Sequence, residues 1–154
     1  MKGKAKVLKV LNELLADELT AINQYMVHSE MCDNWGYAKL HEKVEKRAVD
    51  EMRHAEMLMG RIIFFESAPT VSKLKPITIG QNVKEMVARD HESEQGAVKS
   101  YNDAIRIALD EADNGTRELL DRILKDEEAH IDWLEAQRDQ IEQMGIENYL
   151  ATQV

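Results

Sequence analysis

The chain has 154 residues, 44% apolar and 32% charged, with a formal net charge of −9. That length suits one domain with a buried core, spanning residues 1–154, and the negative balance disfavours nucleic acid as the main partner while suiting cations, although a local basic patch stays compatible with it. The only cysteine, Cys32, excludes an internal disulfide and any cysteine-rich zinc or iron–sulfur site, and reads as a small apolar filler.

The opening MKGKAKVLKVLNELLADE is interrupted by Lys9, Asn12 and Glu13, so it does not read as a signal peptide. No stretch approaches the length needed to cross a bilayer, and the expectation is a cytoplasmic protein with no membrane partner. The spacing predicts a first helix from about Lys4 to Asp33, with Leu11, Leu15, Glu18, Ile22, Tyr25 and Ser29 on one stripe. DNWG, residues 33–36, is a turn signal. A second helix is predicted from about Tyr37 to Glu66, with Val44, Ala48, Glu51, Ala55, Leu58 and Ile62 in line.

Residues 67–81, SAPTVSKLKPITIGQ, hold both prolines and break the pattern. Such a length suits a crossover from one end of a bundle to the other. Asn82 and Glu85 resemble a capping box that opens a third helix, whose stripe is Val87, Asp90, Glu94, Val98, Tyr101, Ile105 and Ala108. DNG, residues 113–115, makes the next turn. A fourth helix follows from about Thr116 to Met144, with Leu120, Ile123, Glu127, His130, Leu134 and Ile141 aligned. Gly145 ends it, and the remaining residues form either a short fifth helix or a loose tail. The expected fold is all-α: a four-helix bundle of two hairpins joined by one long crossover, with a short C-terminal helix.

Each apolar stripe carries a carboxylate where Leu or Ile would pack better: Glu18, Glu51, Glu94 and Glu127. His54 and His130 follow Glu51 and Glu127 by three residues, on the same helical faces. One offset, 76 residues, relates Glu18 to Glu94, Glu51 to Glu127, His54 to His130 and Tyr25 to Tyr101. The repeated phrase Asp-Glu-x-x-His therefore reads as two halves of one site. Buried carboxylates without partners are costly unless they take up protons or bind cations. Four Glu and two His give oxygen-rich ligation with one imidazole per metal, which suits a pair of iron ions, with manganese and zinc as competitors. Two Glu plus two Glu-x-x-His motifs match the ligand set of ferritin-like di-iron bundles. Tyr25 and Tyr101 lie two turns beyond Glu18 and Glu94, either as hydrogen-bonding or redox-active phenols at the metals or as core aromatics with satisfied hydroxyls. Asp50 and Asp126 point part of a turn away, toward supporting or surface positions.

Met52 follows Glu51, so its side chain leaves the bundle axis by about 100°. Leu19, Asn23 and Met26 form a neighbouring outward strip on the first helix, the mark of a subunit interface or of packing filler.

At these residues the sequence resembles the bacterioferritin family. The likeness runs through MKG, LNELLADELTAINQY, NWG, DEMRHAE, IGQNVKEM, DEEAHIDWLE and MGIENYL. Both Glu-x-x-His motifs are present, whereas non-haem ferritins usually lack the second His. The resemblance implies Glu18, Glu51, His54, Glu94, Glu127 and His130 as ligands of a di-iron ferroxidase centre that oxidises Fe(II) with oxygen or hydrogen peroxide. It further implies a homo-oligomeric cage of 24 subunits built from two-fold dimers, storing ferric mineral, with a ferredoxin as a possible partner for iron release. Haem b would lie at the two-fold interface with Met52 from each chain as axial ligand, and Leu19, Asn23 and Met26 would line its pocket. Some members carry a His at position 46 that holds iron on the inner surface with Asp50. This chain has Lys46 there, which puts such a relay in doubt. The crossover wording also departs from the family pattern, and His28, His41 and His91 match no ligand role, His41 being expected in solvent. Two rival readings share the bundle: a small di-iron oxygenase or peroxidase, and a metal-free structural bundle.

Overall fold

The computed structural model describes residues 1–154 as five helices without strands. They are α1 (Ala5–Asn34), α2 (Ala38–Phe64), α3 (Val83–Asp110), α4 (Asn114–Met144) and α5 (Ile146–Ala151). α1 packs along α2 and α3 along α4, and the two hairpins meet through α1 against α3 and α2 against α4. This is the ferritin-like four-helix bundle that the stripe pattern predicts.

Local chemistry sets the helix ends. Asn82 Oδ1 accepts from the Glu85 N–H at 2.9 Å, and the Glu85 carboxylate reaches back to the Gln81 N–H at 2.8 Å, one residue before the expected capping-box partner. Asp113 caps α4 by accepting from the Thr116 N–H at 3.0 Å, so Asn114 and Gly115 lie in the first helical turn rather than in a loop. Gly36 and Gly145 supply positive φ (81° and 78°) where α1 and α4 stop. The last residues form a helix rather than a loose tail: Tyr149 is fully buried and donates to Gln137 Oε1 at 2.8 Å.

The core has two apolar ends with a polar belt between them. Leu11, Leu15, Leu58, Ile62, Leu120 and Ile123 anchor one end; Cys32, Leu40, Val87, Leu134 and Ile141 anchor the other. Each such Leu or Ile stabilises the bundle by about 1.5–3 kcal/mol, and these two clusters hold the belt residues in register.

The crossover runs extended along α1, which offers it a row of polar side chains. Thr70 N–H donates to Asn12 Oδ1 (2.8 Å), Lys75 N–H to Thr20 Oγ1 (2.9 Å), Thr78 N–H to Gln24 Oε1 (3.4 Å) and Gly80 N–H to His28 Nε2 (3.0 Å). A long segment without secondary structure of its own thus satisfies its backbone on a neighbouring helix.

Candidate metal centre

Glu18, Glu51, His54, Glu94, Glu127 and His130 all lie in the belt and are all buried. Their donor atoms form two tetrads, each with its atoms within 4.8 Å of one another: Glu18, Glu51, His54 and Glu127 in one, Glu51, Glu94, Glu127 and His130 in the other. Glu51 and Glu127 belong to both. The sequence places six donors on four stripes; the geometry sorts them into two carboxylates shared by both tetrads and two that belong to one tetrad each, with one imidazole in each tetrad.

The imidazoles point inward through Nδ1. His54 Nδ1 stands 2.8 Å from Glu127 and 3.5 Å from Glu51, and His130 Nδ1 stands 3.0 Å from Glu51 and 3.3 Å from Glu94. The ring centroids are 6.3 Å apart. On the outer side His54 Nε2 meets Asp126 at 2.9 Å and His130 Nε2 meets Asp50 at 3.1 Å, so each hairpin steadies the other's histidine. A carboxylate on Nε2 holds a proton there and leaves the Nδ1 lone pair to the centre. The tyrosines cross in the same way: Tyr25 donates to Glu94 at 2.8 Å and Tyr101 to Glu18 at 2.5 Å. Both phenols are pushed up by burial first and then by those carboxylates.

Of the eight buried side-chain polar atoms without a hydrogen-bond partner, seven belong to these six residues. Orphaned donors and acceptors on this scale are what a bound cation would satisfy. Burial first, then the Glu51 charge, pushes the Glu18 and Glu127 carboxyls up. Glu51 and Glu94 are held low: burial opposes this, but their hydrogen bonds to neighbouring Glu and His side chains outweigh it. His130 is pushed up to about 10, and His54 is raised as well, burial being overcome in both by the surrounding carboxylates. The raised carboxyls and imidazoles hold protons more tightly than free groups do, so a cation entering the belt would compete with protons.

Beside one tetrad lies a charged network that sequence reading did not assign. Arg47 donates to Asp90 and to Glu94, both at 3.0 Å, and stacks over the Tyr25 ring at 4.2 Å. Asp90 also receives Gln24 at 3.0 Å and His28 Nδ1 at 2.8 Å. Because His28 Nε2 accepts from Gly80, its ring proton sits on Nδ1 and points at Asp90. Applied to Arg47, Asp90 and His28, the 76-residue offset gives Ile123, Leu14 and Ala104, all part of the larger apolar cluster. The repeat holds at the ligands and fails beside them. Asp90 on the stripe and Arg47 one turn before Glu51 were the available signals. His41, expected in solvent, is instead half-buried, with Nδ1 2.9 Å from the Ser29 hydroxyl.

The centre has two openings on opposite sides. A cavity of about 230 Å³ between α1 and α3 leads past Asp17, Thr20, Ser93 and Ala97, under Lys75 and Pro76, to Glu18, Glu51, Glu94 and Glu127. A second, of about 410 Å³, lies between α2 and α4 beside Asp50, Asp126 and His130. Lys46 does not offer a ligand there; its ammonium pairs with Asp50 at 3.3 Å. Met52 (44% exposed) and Met26 (50%) stand on the outer face of α2 and α1, with Asn23 exposed and Leu19 half-buried between them and the core.

Residues 8–144 match the family model for the ferritin-like domain. Over 149 residues the chain is 42% identical to a bacterioferritin of Brucella melitensis, covering 97% of this chain and 92% of that one. A bacterioferritin of Mycolicibacterium paratuberculosis is 40% identical, with 98% and 95% covered. The chain belongs to the bacterioferritin family. A relative in Synechocystis, described as a bacterial ferritin, is 41% identical over 100% of this chain and 99% of its own. The paired tetrads form a buried carboxylate–histidine cluster whose donors could hold metal ions, and no helix is long and apolar enough to cross a membrane.

Proposed function

We propose that the protein stores and detoxifies iron, oxidising Fe(II) at the paired tetrads with oxygen or hydrogen peroxide and depositing the ferric product inside a cage of identical subunits. The observation that carries this reading is the sharing of Glu51 and Glu127 between two tetrads, each ended by one His and one Glu. Two bridging carboxylates between two metal positions suit a reaction that takes one electron from each of two Fe(II) ions. Fe(II) is substrate here. We route it to the centre through the α1/α3 opening, whose lining holds Glu92 and the carboxylates of Glu18, Glu51, Glu94 and Glu127, while Asp17 there is paired with Lys75. Glu18 with His54 and Glu94 with His130 take one ion each, while Asp126 and Asp50 keep the Nδ1 lone pairs directed inward. Tyr25, bonded to Glu94, is the phenol we assign to the site as a supporting group. The whole of residues 1–154 acts as one domain, and 24 copies would form the cage in the cytoplasm.

We propose haem b for the outer face, with Met52 as its ligand and Leu19, Asn23 and Met26 lining its pocket. What supports this is exposure: Met52 on α2 and Asn23 and Met26 on α1 are open to solvent, and Leu19 is half-buried. Haem bound there would supply an electron path for releasing stored iron, with a ferredoxin as donor.

The test is anaerobic Fe(II) loading followed by oxidant pulses, counting soluble ferric iron per chain. Storage requires oxidation to continue past about two irons per chain, the capacity of one two-metal site. Oxidation that stops there would make the centre a fixed cofactor and favour a di-iron oxygenase or peroxidase instead.

A further inference from the structure

The α2/α4 opening differs in charge from the α1/α3 opening across the bundle. Its cavity, about 410 Å³, is lined on α2 by Lys43, Lys46, Arg47 and Arg53, spaced to share one helical face. Opposite them α4 contributes Asp126, Ala129, His130 and Trp133. The two carboxylates at its mouth are already engaged: Asp50 by His130 and Lys46, Asp126 by His54. Lys43 and Arg53 form no ion pair in the chain. Arg47, 4% exposed, forms part of the wall, and its Nε is the one buried orphan atom outside the six candidate ligands.

The internal repeat accounts for only one of these cations. The 76-residue offset relates Lys46 to Arg122, but Lys43 to Leu119, Arg47 to Ile123 and Arg53 to Ala129. Three of the four cations therefore belong to one hairpin only, in a chain whose net charge is −9. Several cations with unused donors lining one concave, partly desolvated site are the elements of an anion site. The cavity is open enough for a tetrahedral ion, and Ala129 leaves the space that a longer side chain on α4 would fill.

We propose that the α2/α4 opening binds a small inorganic oxyanion, with orthophosphate as the representative ligand. Lys43 and Arg53 hold it from the rim, Lys46 contributes charge while remaining paired with Asp50, and Arg47, its guanidinium kept on Asp90 and Glu94, adds charge from the wall. The anion then sits beside His130 and Asp50, on the far side of the centre from the acidic opening. The site belongs to the metal-free protein, so it holds whether or not the tetrads bind iron.

The experiment is a calorimetric titration of the metal-free assembled protein with orthophosphate at low ionic strength. The wild type is compared with Lys43→Gln/Arg53→Gln and with a control, Lys99→Gln, which removes an exposed charge on α3. Both rim residues are exposed and make no contact the fold needs, so the double variant retains its helix content by circular dichroism. The expected result is saturable binding of about one anion per chain, weakened about tenfold or more in the double variant and unchanged in the control, as loss of two charge-assisted donors requires. No saturable binding to the wild type would overturn the proposal. So would equal affinity in the wild type and the double variant, which would place the anion elsewhere.

Discussion

At the scale of single residues, the side chains around the tetrads matter as much as the ligands. Asp126 and Asp50 touch no metal position, yet each fixes the tautomer and direction of one imidazole across the hairpins. Asp126→Ala is expected to weaken cation binding at the His54 tetrad about 10–100-fold, the usual range for such partners. Competitive Co(II) titration measures this, and an unchanged affinity would show that packing alone orients His54. Asp90 plays a structural part, since it neutralises buried Arg47 and orders His28 and Gln24. Asp90→Asn should cost about 3–5 kcal/mol in urea denaturation, because it leaves Arg47 with Glu94 as its only anionic partner. Arg47 and the hydrogen bonds hold the Asp90 carboxyl below its ordinary value despite burial. A carboxyl lowered on folding stabilises the protein above its unfolded value, about 3.9. The gap between wild type and variant should therefore be full near neutrality and narrow as pH falls below about 4; a gap that widens in acid would contradict the assignment.

At the scale of elements, the crossover is held by geometry that its own sequence does not show. Its anchors on α1 are Asn12, Thr20, Gln24 and His28, side chains that also read as an ordinary polar helix face. Gly80 sits where the crossover turns into α3, and a Cβ there would come within 2.5 Å of the Met86 backbone nitrogen and 2.8 Å of the Glu85 carbonyl carbon. Backbone atoms cannot rotate aside as a flexible side chain can. Gly80→Ala is expected to destabilise the protein by about 1–3 kcal/mol, in the range of overpacked sites, as a lower urea midpoint. An unaltered midpoint would mean that the first turn of α3 shifts freely, against its cap at Asn82.

At the scale of the whole molecule, the bundle accepts a polar belt that weakens it when metal-free. The two apolar clusters supply the stability that the belt does not. Glu51→Leu/Glu127→Leu removes both bridging carboxylates and leaves one Glu and one His at each end, a balanced pair. Its metal-free form should melt above the metal-free wild type. Zn(II) should then raise the melting temperature of the wild type but not of the variant, since only a site that binds the folded state adds stability by mass action. A variant that still gains on Zn(II) would place the main cation site outside the tetrads. On the outer face, Met52→Ala should abolish a haem Soret band on reconstitution while leaving the rate of Fe(II) oxidation unchanged. Retained haem binding would reject Met52 as the ligand.

The sequence by itself determined the bundle, the crossover and the identity of the six candidate ligands. Helical periodicity fixes which side chains share a face, and a carboxylate on an apolar face is conspicuous without coordinates. The repeat of Asp-Glu-x-x-His also carried the pairing of the two hairpins. Only the tertiary structure decided which carboxylates the two tetrads share and which belong to one, because that depends on how far apart four helix axes stand at one level. It decided as well that Asp50 and Asp126 serve the opposite hairpin's histidine, and that Arg47, Asp90 and His28 form one network. Those partners are 43 to 80 residues apart in the chain, and no local pattern encodes a contact across such a distance. The same holds for the two openings: charge along one helix can be read from spacing, but a cavity exists only between helices.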